Sequence, residues 1–147
     1  MQYNEGVMSY NVLIVDDSKS MRRVIIKTLQ LSGFHVGEYI EASNGQEALD
    51  QIEGKWIDLI LSDIHMPVMD GFEFIRCLRE DEMHKDTPVI FVTTEANEER
   101  LNHLMALGAR GYIRKPFRPE EIGVLLSEVM GETDDRTMGT SPEGCDF

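Results

Sequence analysis

Short apolar runs alternate along this chain with segments whose apolar residues recur every three or four positions. The runs are Asn11-Val12-Leu13-Ile14-Val15, a mixed stretch over residues 36 to 42, Leu59-Ile60-Leu61-Ser62, Val89-Ile90-Phe91-Val92 and Gly111-Tyr112-Ile113-Arg114. Near-continuous apolar runs this short suit strands buried on both faces of a parallel sheet. Between them the period lengthens. Met21, Val24, Ile25 and Leu29 lie at helical spacing and stop near Gly33, which tolerates the left-handed cap conformation. Asn44 with Glu47 three residues on opens a second helix that buries Ala48, Leu49 and Ile52. The turn Met66-Pro67-Val68-Met69-Asp70-Gly71 leads into a third, with Phe74, Ile75 and Leu78 on one face. Asn97 caps a fourth, which carries Glu98 and Glu99 in its first turn, Leu101, Leu104 and Met105 on its face, and Gly108 at its end. Pro119 opens a fifth, followed by Glu120 and Glu121, with the stripe Ile122, Leu125, Leu126, Val129 and Met130. The alternation predicts an α/β domain: a doubly wound, five-stranded parallel sheet with helices on both faces.

Four of the runs deliver a particular polar residue at their end. Asp16 and Asp17 follow the first, Asp63 the third, Thr93 the fourth and Lys115-Pro116 the fifth. In a parallel sheet these ends share one edge, and ligands of such folds sit outside the carboxyl ends of the strands, where strand order reverses. Three carboxylates, a hydroxyl and an ammonium therefore converge on one pocket. Holding the acids ~4 to 5 Å apart costs roughly 3 to 4 kcal/mol per charged pair at an effective dielectric near 20, so something cationic should offset the repulsion. A hard divalent ion with oxygen ligands, Mg2+, fits better than zinc, because no Cys or His cluster has zinc spacing. One carboxylate is then free to act as a nucleophile toward phosphorus and form an aspartyl phosphate.

Composition narrows what such a pocket belongs to. A chain of 147 residues with 41% hydrophobic content supports one well-buried core. Its formal net charge of -13 repels nucleic-acid backbones and favours divalent cations and basic protein faces. Cys77 and Cys145 are the only cysteines, which suggests no disulfide framework and a reducing compartment. The first residues lack a basic segment followed by an apolar core, and no apolar run reaches the ~20 residues of a membrane span. A cytoplasmic protein with neither nucleic acid nor membrane as partner is expected. One domain over residues 10–131 is predicted, preceded by an extension, 1–9, and followed by a polar, acidic, disordered tail, 132–147.

The order of the motifs resembles a known family. An adjacent acid pair after strand one, an Asp after strand three followed by Met66-Pro67-Val68-Met69-Asp70-Gly71, a Thr after strand four and Lys115-Pro116-Phe117 after strand five are similar to the receiver domain of two-component response regulators, most of all its CheY-like single-domain chemotaxis type. The resemblance covers residues 11 to 130. It implies a flavodoxin/CheY-like sheet of order 2-1-3-4-5. By it, Asp63 is the phospho-acceptor, Asp16, Asp17, Asp63 and the backbone carbonyl of His65 hold Mg2+, and Thr93 and Lys115 contact the phosphoryl group. Tyr112 matches the aromatic switch position, whose ring turns inward as the Thr moves. Lys115-Pro116 matches a cis peptide bond. His65 and Glu95 border the path of an attacking water, and Thr94 is a rim position where a small side chain leaves access to the phosphoryl group. The implied partners are a sensor histidine kinase, which donates the phosphoryl group, and an effector at the face of the fourth helix, fifth strand and fifth helix. In chemotaxis-type members that effector is a flagellar motor switch protein; other stand-alone receivers relay phosphate or bind different effectors. The implied chemistry is not general enzymic turnover, since the chain catalyses only its own phosphorylation and dephosphorylation.

Plainer readings stand beside these. Tyr112 has a packed aromatic as its plainer alternative, and His65 is equally an exposed rim residue without effect. His35, His84 and His103 read as surface residues, Met21, Met105 and Met130 as core packing on helix faces, and Trp56 as packing ahead of strand three. The chain also reads as a receiver cut from a longer regulator, or as a phosphorelay intermediate. A Mg2+-dependent phosphohydrolase of the haloacid-dehalogenase type would carry Asp-x-Asp after its first strand. Here those acids are adjacent, and Asp63-Ile64-His65 lacks a second one. No glycine-rich loop follows the first strand, which argues against nucleotide binding.

Overall fold

The computed structural model describes residues 9–131; residues 1–8 and the expected tail lie outside the described residues. The chain order is β1 (Tyr10–Val15), α1 (Lys19–Ser32), β2 (Val36–Ala42), α2 (Gly45–Ile52), β3 (Leu59–Ser62), α3 (Gly71–Arg79), β4 (Val89–Thr93), α4 (Glu98–Ala106), β5 (Gly111–Arg114) and α5 (Pro119–Met130). The five strands pair in parallel in the order β2-β1-β3-β4-β5, as expected.

Strand alternation divides the apolar residues between two cores. Leu13, Val15, Ile60, Val89 and Phe91 face one side and pack with Ala48, Ile52, Phe74, Ile75, Leu78, Leu101 and Leu104 of α2, α3 and α4. Val12, Ile14, Leu59, Leu61, Ile90 and Val92 face the other and pack with Ile25 and Leu29 of α1 and Ile122 and Leu126 of α5. Each such side chain contributes about 1.5 to 3 kcal/mol on burial, so the strands of this sheet are its best-anchored parts.

Local chemistry sets the helix ends. Ser18, Asn44, Asp70 and Asn97 each accept a backbone N–H from the first turn of the helix they precede. Glu121 accepts from the Arg118 N–H at the start of α5, and Gly33 ends α1 at φ +85°. No described helix is long and apolar enough to cross a membrane.

Several expectations need correction. His84 is buried, at 1% exposure, not on the surface. Its ring lies between Asp81 Oδ2, 3.0 Å from Nδ1, and the Lys55 carbonyl oxygen, 2.9 Å from Nε2. Trp56 is largely exposed, with its Nε1 donating to Asp58 Oδ1 at 2.9 Å, and Val24 and Met105 also lie at the surface. Each sits on the margin of a stripe or at a strand entry, where the sequence period continues but the covering layer does not.

Candidate functional site

The site stands on a hydrogen-bond ladder that continues one residue past each strand. The Asp16 N–H donates to the Ala42 carbonyl at 3.0 Å, the Asp63 N–H to Val15 at 2.9 Å and the Lys115 N–H to Thr93 at 2.8 Å. These bonds fix the backbones of Asp16 and Asp63 beside the β1/β3 boundary, where the strand order reverses, and that of Lys115 past the end of β5. The Lys115–Pro116 bond is cis.

Carboxylate oxygens of Asp16, Asp17 and Asp63 lie within 4.8 Å of one another. Asp16 is buried, Asp63 half-buried and Asp17 exposed. Lys115 Nζ reaches Asp16 Oδ2 at 2.9 Å and Asp63 Oδ2 at 3.2 Å. Burial works against its charge, but the bond to Asp16 and the charges of Asp63 and Asp16 prevail, so its pKa is raised. One ammonium faces three acids. The trio offers hard oxygen donors with no sulfur or nitrogen, the set suited to Mg2+ or Ca2+ and not to zinc.

Around this centre, Thr93 is fully buried, and its Oγ1 accepts the Glu95 N–H at 3.1 Å, leaving the hydroxyl proton available to another acceptor. Thr94 is exposed. Glu95 is a hub: its carboxylate accepts from the Asn97 N–H at 2.8 Å and lies 2.8 Å from His65 Nε2 and 3.5 Å from Arg100 Nη1. The Asn97 N–H and then His65 lower its pKa. The two rim residues thus meet and tie the β3–α3 loop to the β4–α4 loop. Tyr112 lies at the surface, 41% exposed, on β5.

The family model of the response regulator receiver domain matches residues 12–127. The chain belongs to this family. It is 33% identical over 124 residues to the chemotaxis protein CheY1 of Helicobacter pylori, covering 84% of this chain and 98% of that protein. A chemotaxis protein CheY homolog of Campylobacter jejuni is 35% identical over 121 residues, 82% of this chain and 92% of the relative. Among solved structures, the chemotaxis response regulator CheY4 of Vibrio cholerae superposes with a TM-score of 0.70 at 40% identity, covering 84% of this chain and 98% of that one. The receiver is therefore of the CheY type.

Three supports of this receiver's site escaped the sequence reading. Arg22 Nη1 donates to the Asp16 carbonyl at 2.7 Å while its Nε bonds Glu41 at 2.8 Å, a contact between α1 and β2 that no local pattern shows. Gly71 sits so close to the acceptor loop that a Cβ there would lie 2.9 Å from the Asp63 carbonyl oxygen and 2.8 Å from Phe91; only glycine fits. Val68, 80% exposed, holds φ +71°, a strained conformation for a β-branched residue, in the turn where the Met69 N–H bonds the Pro67 carbonyl. The Met-Pro-x-Met-Asp-Gly spacing was the available signal for both Val68 and Gly71.

Proposed function

We propose that this receiver takes a phosphoryl group from a phosphohistidine of a sensor kinase onto Asp63. A carboxylate oxygen of Asp63 attacks phosphorus as the N–P bond breaks, and the imidazole departs with its electron pair. Lys115, already bonded to Asp63, neutralises charge on the transferred oxygens, and the Thr93 hydroxyl donates to one of them. Mg2+, held by Asp16, Asp17, Asp63 and the His65 carbonyl, would supply the remaining positive charge at that centre. Hydrolysis then breaks the O–P bond, restores the carboxylate and releases phosphate, with His65 and Glu95 bordering the water's approach and Thr94 leaving access at the rim. The chain turns over no other substrate in this reading.

The output is partner binding. Movement of Thr93 toward the phosphoryl group and an inward turn of Tyr112 would bias the α4, β5 and α5 face between two states, as far as each state interacts differently with the modified Asp63. Chemotaxis signalling in the cytoplasm is the favoured setting because the relatives named above carry that name. The alternative of a receiver within a longer regulator, or of a relay step, draws on the 33% identity over 123 residues to the phosphate regulon transcriptional regulatory protein PhoB of Escherichia coli, of which the match covers 52%.

A single observation carries the proposal: one lysine bonded to two of three clustered carboxylates at the sheet's switch point. Incubation with Mg2+ and a small phosphodonor should add the mass of one phosphoryl group, and Asp63→Asn should abolish it. An unchanged mass for the folded wild-type chain would refute the assignment.

A further inference from the structure

We infer that the groove between β5 and α5 docks a basic amphipathic segment of a partner protein. The segment seats an apolar side chain on Val124 and sets lysine or arginine one turn to either side, against Glu120 and Glu128. This rests on the reading of the α4, β5 and α5 face as the output surface, and it names the chemistry of the occupant.

The groove has a volume of about 600 Å3, and Tyr112 and Leu125 contribute to its lining. Val124 is 61% exposed, an apolar knob with no covering layer among the described residues. Glu120, Val124 and Glu128 fall at i, i+4 and i+8 and so share one stripe of α5, with the valine bracketed by acids. Neither glutamate has an ion-pair partner among the described residues. Arg114 is the one cation in the lining. Glu128 stands in the last turn of α5, a turn with no basic residue, where the helix macrodipole disfavours an acid. Helix stability therefore does not account for it.

Charge complementarity then selects the occupant. A second copy of this chain in a two-fold contact would oppose the same acids to one another. Nucleic acid and anionic lipid are repelled. The chain's own C-terminal residues carry Glu132, Asp134, Asp135, Glu143 and Asp146 against Arg136, the wrong sign for this stripe. A protein segment with a central apolar residue and flanking cations remains.

The test uses two labelled synthetic helical peptides titrated into the full chain by fluorescence anisotropy. One carries leucine flanked by lysine four residues before and after; the other carries glutamate at those flanks. The lysine peptide should bind at least about tenfold more tightly. Glu128→Lys should weaken it about three- to tenfold while raising the melting temperature, so misfolding cannot explain the loss. Glu53→Lys, exposed on the α2–β3 connection, makes the same change in net charge and should leave affinity unchanged. Equal weakening by Glu53→Lys, preference for the glutamate peptide, or phosphodonor-driven self-association blocked by Val124→Asp would each overturn the inference. Peptide selectivity is measured apart from phosphoryl uptake. Selectivity without uptake refutes the phospho-receiver reading alone, and uptake without selectivity refutes the groove alone.

Discussion

The two edges of this sheet handle buried charge in opposite ways. At the amino-terminal edge, ahead of the strands, charged and polar side chains end mainly on fixed backbone acceptors and donors, with a few neutral or exposed side-chain partners. The Arg79 guanidinium donates to the carbonyls of His84, Lys85, Thr87 and Gly108 at 3.0 to 3.4 Å. Asp58 accepts from the Asn11 N–H at 2.8 Å and from Trp56 Nε1 at 2.9 Å. At the carboxyl-terminal edge, three carboxylates crowd one ammonium. The first arrangement is complete within the protein; the second gains from an added cation. Charge that closes loops is matched by backbone, and charge that meets ligands is left in excess.

Lys115→Met tests that contrast with the largest expected effect. Its removal strands Asp16, whose side chain is nearly buried, at a cost of about 3 kcal/mol in Mg2+-free buffer. Denaturant titration should show Mg2+ restoring part of that loss, because the ion replaces the missing charge. Phosphoryl uptake from a small donor should slow about 100-fold even with Mg2+ present. A loss of stability that Mg2+ does not touch would erase the distinction between the edges.

The same measurements on Arg79→Met should give the other half. Losing donors to four carbonyls, some of which water can reach, should cost about 2 kcal/mol. Burial, and then the charge of Arg110 nearby, lowers the pKa of this guanidinium, whose hydrogen bonds all go to carbonyls. Mg2+ should restore nothing, and phosphoryl uptake should proceed at the wild-type rate. Uptake that falls with Arg79→Met would mean that this edge is coupled to the acid site through Gly108 and the base of α4.

How much of this was legible depends on where the information lies along the chain. The strand runs and the polar residue after each one are local, so Asp16, Asp17, Asp63, Thr93 and Lys115 could be placed on one edge before any coordinates. Helix caps at Asn44 and Asn97 were local too. The amino-terminal edge was not legible, because its bonds join residues far apart in sequence. His84, in the polar run Asp-Glu-Met-His-Lys-Asp at residues 81 to 86, was expected at the surface, yet it is buried against the Lys55 carbonyl, 29 residues away. No local pattern singles out Arg79. Its partners come from two separate connections, and nothing in the spacing links them.

The smallest expected effect concerns Asp81, which sits at the rim of that same edge and shows how little an exposed charge adds to a site already closed by backbone. Its hydrogen bond to His84, and then that from the Met83 N–H, lower its pKa. A carboxyl group whose folded pKa is depressed contributes stability above its unfolded pKa, and that contribution fades as pH falls through the folded value. Asp81→Asn keeps an acceptor opposite His84 and removes only the charge. Because nearly half of the Asp81 side chain meets solvent, the variant should lose no more than about 0.5 kcal/mol at neutral pH. Denaturant midpoints across pH 7 to 3 should show the two proteins converging as the pH drops below about 4. A gap that widens on acidification would have the opposite sign, and would mean that protonated Asp81 holds His84 better than the carboxylate does.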